Sequence, residues 1–163
     1  MKLSSPSDRF PPATGIAIDV PESWAPDDAP AAVLPAYDTD SPDHFRVNAT
    51  VAIERVQAGS QLAQIAARFA EAAAADLPDY VVHGEEQVSH DGLARFIRLH
   101  GYQPEGISFP IFQAQCLALV PIRQAAIDDL VQLHATCPAD VAERYGTVFR
   151  AIVDSLTFTR PPP

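Results

Sequence analysis

Between Tyr80 and Cys137 the chain strings together YVVHGEEQVSH, LARFIRLHGYQ, FPIFQAQCLALV and AIDDLVQLHATC with very little between them. The connectors are Asp91-Gly92, a Pro-Glu-Gly turn ending at Gly106, and a Pro/Arg/Gln turn around Pro121 to Ala125. A parallel neighbour needs a crossover of about a dozen residues or more, whereas short turns return each strand beside its predecessor. Asp-Gly between alternating apolar residues is a strong hairpin signal. These strands therefore form an antiparallel meander, which excludes a doubly wound parallel sheet.

The rest of the chain supplies what such a sheet needs as cover. Ile16, Ile18 and Val20 alternate with Ala17 and Asp19 as in a half-buried strand, and Pro21 ends it. The only tryptophan, Trp24, follows at once; the chain is expected to turn off the sheet edge at Pro21 and fold Trp24 back as a plug on the core. AAVLPAYD reads as a short edge strand, because Pro35 removes a ladder donor. In HFRVNATVAIERV, residues Phe45, Val47, Ala49, Val51 and Ile53 share one face. Leu62, Ile65, Ala66, Phe69 and Ala73 then recur at helical spacing, with Ser60 as the expected N-cap and Leu77-Pro78 as the stop. A second amphipathic helix opens at Pro138 and carries Val141, Tyr145, Val148, Phe149, Ile152 and Leu156 on one stripe. SLTFTR after it is extended. The fold class is α+β, an antiparallel β-sheet meander sandwiched by amphipathic helices.

The 163 residues suit one core, burying roughly 70% of the unfolded surface. Residues 1–13 read as a flexible N-terminal segment, 14–160 as a single domain and 161–163 as a proline tail. The net charge is -10, with Lys2 the only lysine, so nucleic acid and anionic membrane surfaces are both disfavoured as partners. MKLSSPSDRFPPAT has no apolar run behind its charge and no later run reaches the length of a membrane span. The expected location is cytoplasmic, or the cell envelope if an export signal precedes this chain.

Motifs that carry chemistry are missing. The seven glycines are scattered, without a phosphate-binding loop, and there is no nucleophile elbow. Cys116 and Cys137 lack the doublets of a zinc site; they read as reduced and half-buried, with a cross-strand bridge depending on register. His44, His83, His90, His100 and His134 show no metal-binding frame, so neither a metal nor another cofactor is expected. The acidic doublets Asp27-Asp28, Glu85-Glu86 and Asp128-Asp129 put adjacent carboxylates on opposite faces if they lie on strands. The anomaly is GISFPIFQAQCLAL, where Ile107, Phe109, Ile111 and Phe112 form an aromatic and β-branched knot and the strand behind it is apolar on both faces. Such a strand is either central and covered on both sides, or meets a partner.

In order, VPESW, FRVNATVAIERV, a helix, YVVHGEEQVSHDGLARFI, FQAQCLAL, LHATC and a helix ending in IVDSLTF resemble the PsbP-like fold of the Ran-release-factor group. Over about residues 14–158 the pattern is most similar to the actinobacterial LpqN/LpqT lipoprotein family, from which this chain departs in having no lipobox cysteine. The resemblance implies an antiparallel sheet between helices and members that bind proteins or lipidic cargo, with no catalytic residues to carry over. The leading expectation is a non-catalytic binding or adaptor protein, monomer or homodimer, that accepts a protein segment or lipid-like hydrophobic ligand at Phe109, Ile111 and Phe112. A small enzyme using His100 or His134 with Asp129, and a purely structural oligomerising protein, are the alternatives.

Overall fold

The computed structural model describes residues 11–28, 32–122 and 126–159; the expected N-terminal segment up to residue 10, the proline tail and part of the Pro121–Ala125 turn lie outside them. The strands are β1 (Gly15–Ala17), β2 (Trp24–Pro26), β3 (Leu34–Asp38), β4 (Asn48–Gln57), β5 (Val81–His90), β6 (Leu93–Tyr102), β7 (Ile111–Pro121), β8 (Ile127–Pro138) and β9 (Thr157–Thr159). Helix α1 (Leu62–Asp76) joins β4 to β5, and α2 (Ala142–Ser155) joins β8 to β9. Seven strands form one antiparallel sheet in the order β2-β3-β4-β8-β7-β6-β5, while β1 and β9 pair as a separate two-stranded ribbon. The meander runs from β5 to β8, and its first turn places Asp91 at φ 52° and Gly92 at φ 75°, the left-handed pair that a two-residue hairpin requires.

The helices cover opposite faces. Residues 114, 116 and 120 of β7 point with Ile97, Val131, Leu133 and Ala135 toward α2, where Tyr145, Phe149, Ile152 and Val153 complete the main core. Leu117 and Leu119 point the other way, with Phe96 and Leu130, into a smaller core under Leu62, Ile65 and Ala66 of α1. The two-faced strand is thus a central, doubly covered one. Trp24 is buried in the main core, and Ile16, Ile18 and Val20 pack against its edge. A buried hydrogen bond of 2.7 Å from Tyr145 Oη to Asp38 Oδ2 ties α2 to β3.

Several boundaries differ from the sequence reading, each for a local reason. β1 stops at Ala17 because its only partner is the three-residue β9. β3 is interior, since β2 pairs outside it. Pro35 is tolerated there because its polar side faces Asp27, one residue past β2, whose N–H donates to the Pro35 carbonyl at 3.0 Å. Ser60 does not cap α1; its hydroxyl donates to Gln57 O, and the extended Gln61 precedes the helix. Pro138 ends β8, and a 3-10 turn over Ala139–Val141 comes before α2.

Register also decides the cysteines. Cys116 lies opposite Leu133 and Cys137 opposite Phe112, so they are four rungs apart on neighbouring strands, beyond the reach of a disulfide. Both are free and buried, and burial raises their pKa to about 11 and about 12. Neither thiol is expected to react with an aromatic disulfide reagent at pH 8 until the protein unfolds, when both should; rapid native labelling of either would contradict this packing.

Candidate functional site

Helix α2 lies over β7 and β8 and stops short of β5, one of the two edge strands of the sheet. On its inner face Gly146, Phe149, Arg150 and Val153 follow one another at helical spacing, and below them lie Ile97 and Leu99 of β6 and Phe112 and Ala114 of β7. The space between is a cleft of about 290 Å³. It exists because glycines stand on both walls: a Cβ at Gly84 or at Gly146 would meet nothing within 4 Å. Gly84 follows a β-bulge between Val82 and Gly84, as an isolated strand glycine often does.

The rim is ionic and the mouth apolar. Arg150 donates to Glu86 at 2.6 Å and to Asp154 at 3.1 Å, bridging α2 to β5 across the opening. Beside it, Leu99 is 38% exposed, and Val81, paired with Gly101 on the same face, is 52% exposed. An apolar cleft running out to exposed aliphatic side chains can take up a hydrophobic group.

The three residues expected to contact a partner do not share this place. Phe112 lines the cleft. Ile111 is its strand neighbour and so faces the other way, 1% exposed. Phe109 is half-buried at the end of the sheet, packed edge-on against His44 at 4.8 Å and Phe45 at 6.0 Å. Gly84, Leu99 and Gly146 were not singled out from sequence, and Phe149 was read only as part of the core stripe of the second helix. Gly146 carried a signal nonetheless, since an interior helix glycine costs about 1 kcal/mol relative to alanine and invites a packing reason.

The histidine and carboxylate set is not assembled. His100 and His134 line a second cavity, on the α1 side of the sheet. Asp129 is on the α2 side, fully buried, accepting from Thr14 N–H at 2.7 Å and facing Arg55 Nε at 3.7 Å. Burial lowers the His100 pKa to about 4, helped by the nearby His134 and Arg98, and burial lowers that of His134 as well. His83 stacks over Gly101 and Phe112, and His90 pairs with Asp91 in the hairpin. Among the described residues no group of three or more His, Cys, Asp or Glu side chains is placed to hold a metal ion.

The chain shares its fold with proteins of very different roles. LpqN of Mycobacterium tuberculosis, described as involved in cell envelope biogenesis, superimposes with a TM-score of 0.73 at 18% identity, covering 91% of this chain and 86% of that one. PsbP of the cyanobacterium Synechocystis sp. PCC 6803 gives a TM-score of 0.59 at 13% identity, with 90% and 92% covered. The Ran-binding protein Mog1p of Saccharomyces cerevisiae gives 0.56 at 10% identity, with 87% and 89% covered. No family model and no curated protein matches the sequence. Among the described residues no helix is long and apolar enough to cross a membrane.

Proposed function

We propose that this protein is a non-catalytic binding module whose cleft beneath α2 takes up a lipid-like hydrophobic chain. The observation that carries the reading is the continuity of that cleft with exposed Leu99 on its wall and with Val81, on the same face of the neighbouring edge strand. Burying a methylene is worth about 0.8 kcal/mol, so a chain placing six of them in the cleft gains about 5 kcal/mol, an affinity on the order of 0.1 mM before any headgroup contact. A cell-envelope setting, where such chains abound, fits this chemistry and the described role of LpqN.

The glycine at position 146 provides the test. Gly146→Ala should add about 0.5–1 kcal/mol of stability, because the position is helical and a Cβ meets nothing. Gly146→Leu should fill the cleft and weaken binding of the fluorescent fatty acid cis-parinaric acid at least about tenfold while the protein stays folded. Equal binding by the Leu variant, or wild-type protein that binds no fatty acid and carries no lipid in native mass spectrometry, would rule the reading out.

A protein segment is the second reading, and the free edge of β5 favours it. An extended peptide could add to that strand and lower one apolar side chain into the cleft. Such a complex would protect the outward β5 amides from hydrogen exchange, which a fatty acid would not.

A further inference from the structure

The α1 face of the sheet holds a polar patch where a core would be expected. Two rungs cross β6, β7 and β8 there: Arg98, Gln115 and His134 in one, His100, Gln113 and Thr136 in the next. Above them α1 reads Ala72, Ala73 and Asp76 between Phe69 and Leu77, and alanine side chains do not reach the sheet. The result is a cavity of about 260 Å³, with imidazoles and amides as floor and an apolar helix as roof.

The hydrogen bonds among these groups fix what each still offers. Arg98 has every nitrogen engaged: Nε donates to Glu85 at 2.6 Å, Nη1 to Gln115 Oε1 at 3.1 Å and Nη2 to the Ala66 carbonyl at 2.8 Å. A guanidinium only donates, so Gln115 must turn its oxygen to Arg98, which leaves its NH2 as a free donor. Gln113 donates through Nε2 to Thr136 Oγ1 at 2.8 Å and holds its Oε1 3.1 Å from His134 Nδ1. That contact puts the proton on Nδ1 and leaves His134 Nε2 as an acceptor. Gln115 and His134 are direct cross-strand partners, so donor and acceptor stand side by side. His100, 4% exposed, lines the same cavity, and its Nδ1 has no partner among the described residues.

We infer that this cavity is a binding site for a small neutral planar molecule carrying an acceptor beside a donor, the pattern of a carboxamide, a lactam or a pyrimidine base. Its acceptor takes the Gln115 NH2, its donor meets His134 Nε2, and its faces lie among Phe69, Tyr80 and the His100 ring. Charge and hydrogen bonding decide against ions. Arg98 is already neutralised by Glu85, burial keeps the imidazoles uncharged, and Asp76 at the rim repels an anion, while an amidinium-type cation brings only donors and leaves the Gln115 NH2 without an acceptor. The volume, just under the usual range for ligand pockets, limits the occupant to one or two rings.

Benzamide and uracil are suitable probes, with benzoate and benzamidine as charged counterparts, read by the side-chain 15N signals of Gln115 and His134. The neutral probes should move both signals saturably at millimolar concentration, and the charged ones should bind at least about tenfold more weakly, as when a hydrogen-bonding site meets the wrong partner. Ala73→Leu should fill the cavity and remove the response. Gln115→Glu, which keeps shape and the Arg98 contact but loses the donor, should do the same, so the conclusion does not depend on one variant folding. No saturable shift with either neutral probe, benzoate binding as well as benzamide, or undiminished binding in a folded Ala73→Leu or Gln115→Glu protein would overturn the assignment.

Discussion

Arg95→Ala is expected to cost about 3–5 kcal/mol, enough to remove much of the stability of a domain this size. Arg95 is 2% exposed and sits on β6 facing α2. Its Nη1 donates to the Val153 carbonyl at 3.0 Å and its Nη2 to that of Leu156 at 2.6 Å, and its guanidinium lies 5.6 Å from the Phe158 ring centre. The last carbonyls of a helix have no partner within it and carry the negative end of its dipole. Arg95 supplies both donors and a positive charge there, from the sheet, in a place water does not reach. Truncation orphans the Leu156 carbonyl, leaves that of Val153 with only the 3.4 Å bond from Leu156 N–H, and opens a cavity the size of the side chain. Arg95→Met, which keeps most of the volume, should cost about 2 kcal/mol less, and the difference, measured by urea unfolding, separates packing from hydrogen bonding. Equal stability of the Ala variant and wild type would mean that α2 is held by its apolar face alone.

Acid should destabilise the protein through His100. Its pKa is lowered to about 4 by burial first, then by His134 and Arg98, against an ordinary value of 6.5. Between those values the unfolded chain binds a proton that the native state refuses, so stability rises with pH across this window. The contribution is fully present above pH 6.5 and is lost as pH falls through 4. The full shift corresponds to about 3 kcal/mol, and contact with a solvent-accessible cavity brings it nearer 2. His134, shifted in the same direction, adds to it. Unfolding free energies measured from pH 7.5 to pH 3.5 should fall less steeply in His100→Gln than in wild type. Parallel curves would show that His100 titrates normally in the native state.

The sheet was readable in advance because its information is local. Asp91-Gly92 forces a hairpin, alternation assigns faces, and the apolar stripe from Tyr145 to Ile152 is long enough to need a partner surface. The cleft was not readable, since it depends on how far along the sheet α2 comes to rest, a property of no single segment. Phe109, Ile111 and Phe112 look like one patch in sequence, yet strand geometry sends Ile111 and Phe112 to opposite faces and Phe109 lies before the strand begins. Pro35 misled because the edge rule concerns which side of a strand lacks a donor, and that side is set by pairing with β2. The polar cavity left a fainter trace: Gln113 and Gln115 recur at period two inside an apolar strand, and Ala72 to Ala75 supply no bulk to cover them.

The ribbon of β1 and β9 has a mechanical meaning. Gly15 lies opposite Thr159 and Ala17 opposite Thr157, so the chain enters and leaves at the same end of the pair. Tension between the segments before Gly15 and after Thr159 would open its rungs one after another, like a zip, instead of loading them together. Once β9 has peeled away, the pull reaches Leu156 and then α2, the roof of the apolar cleft.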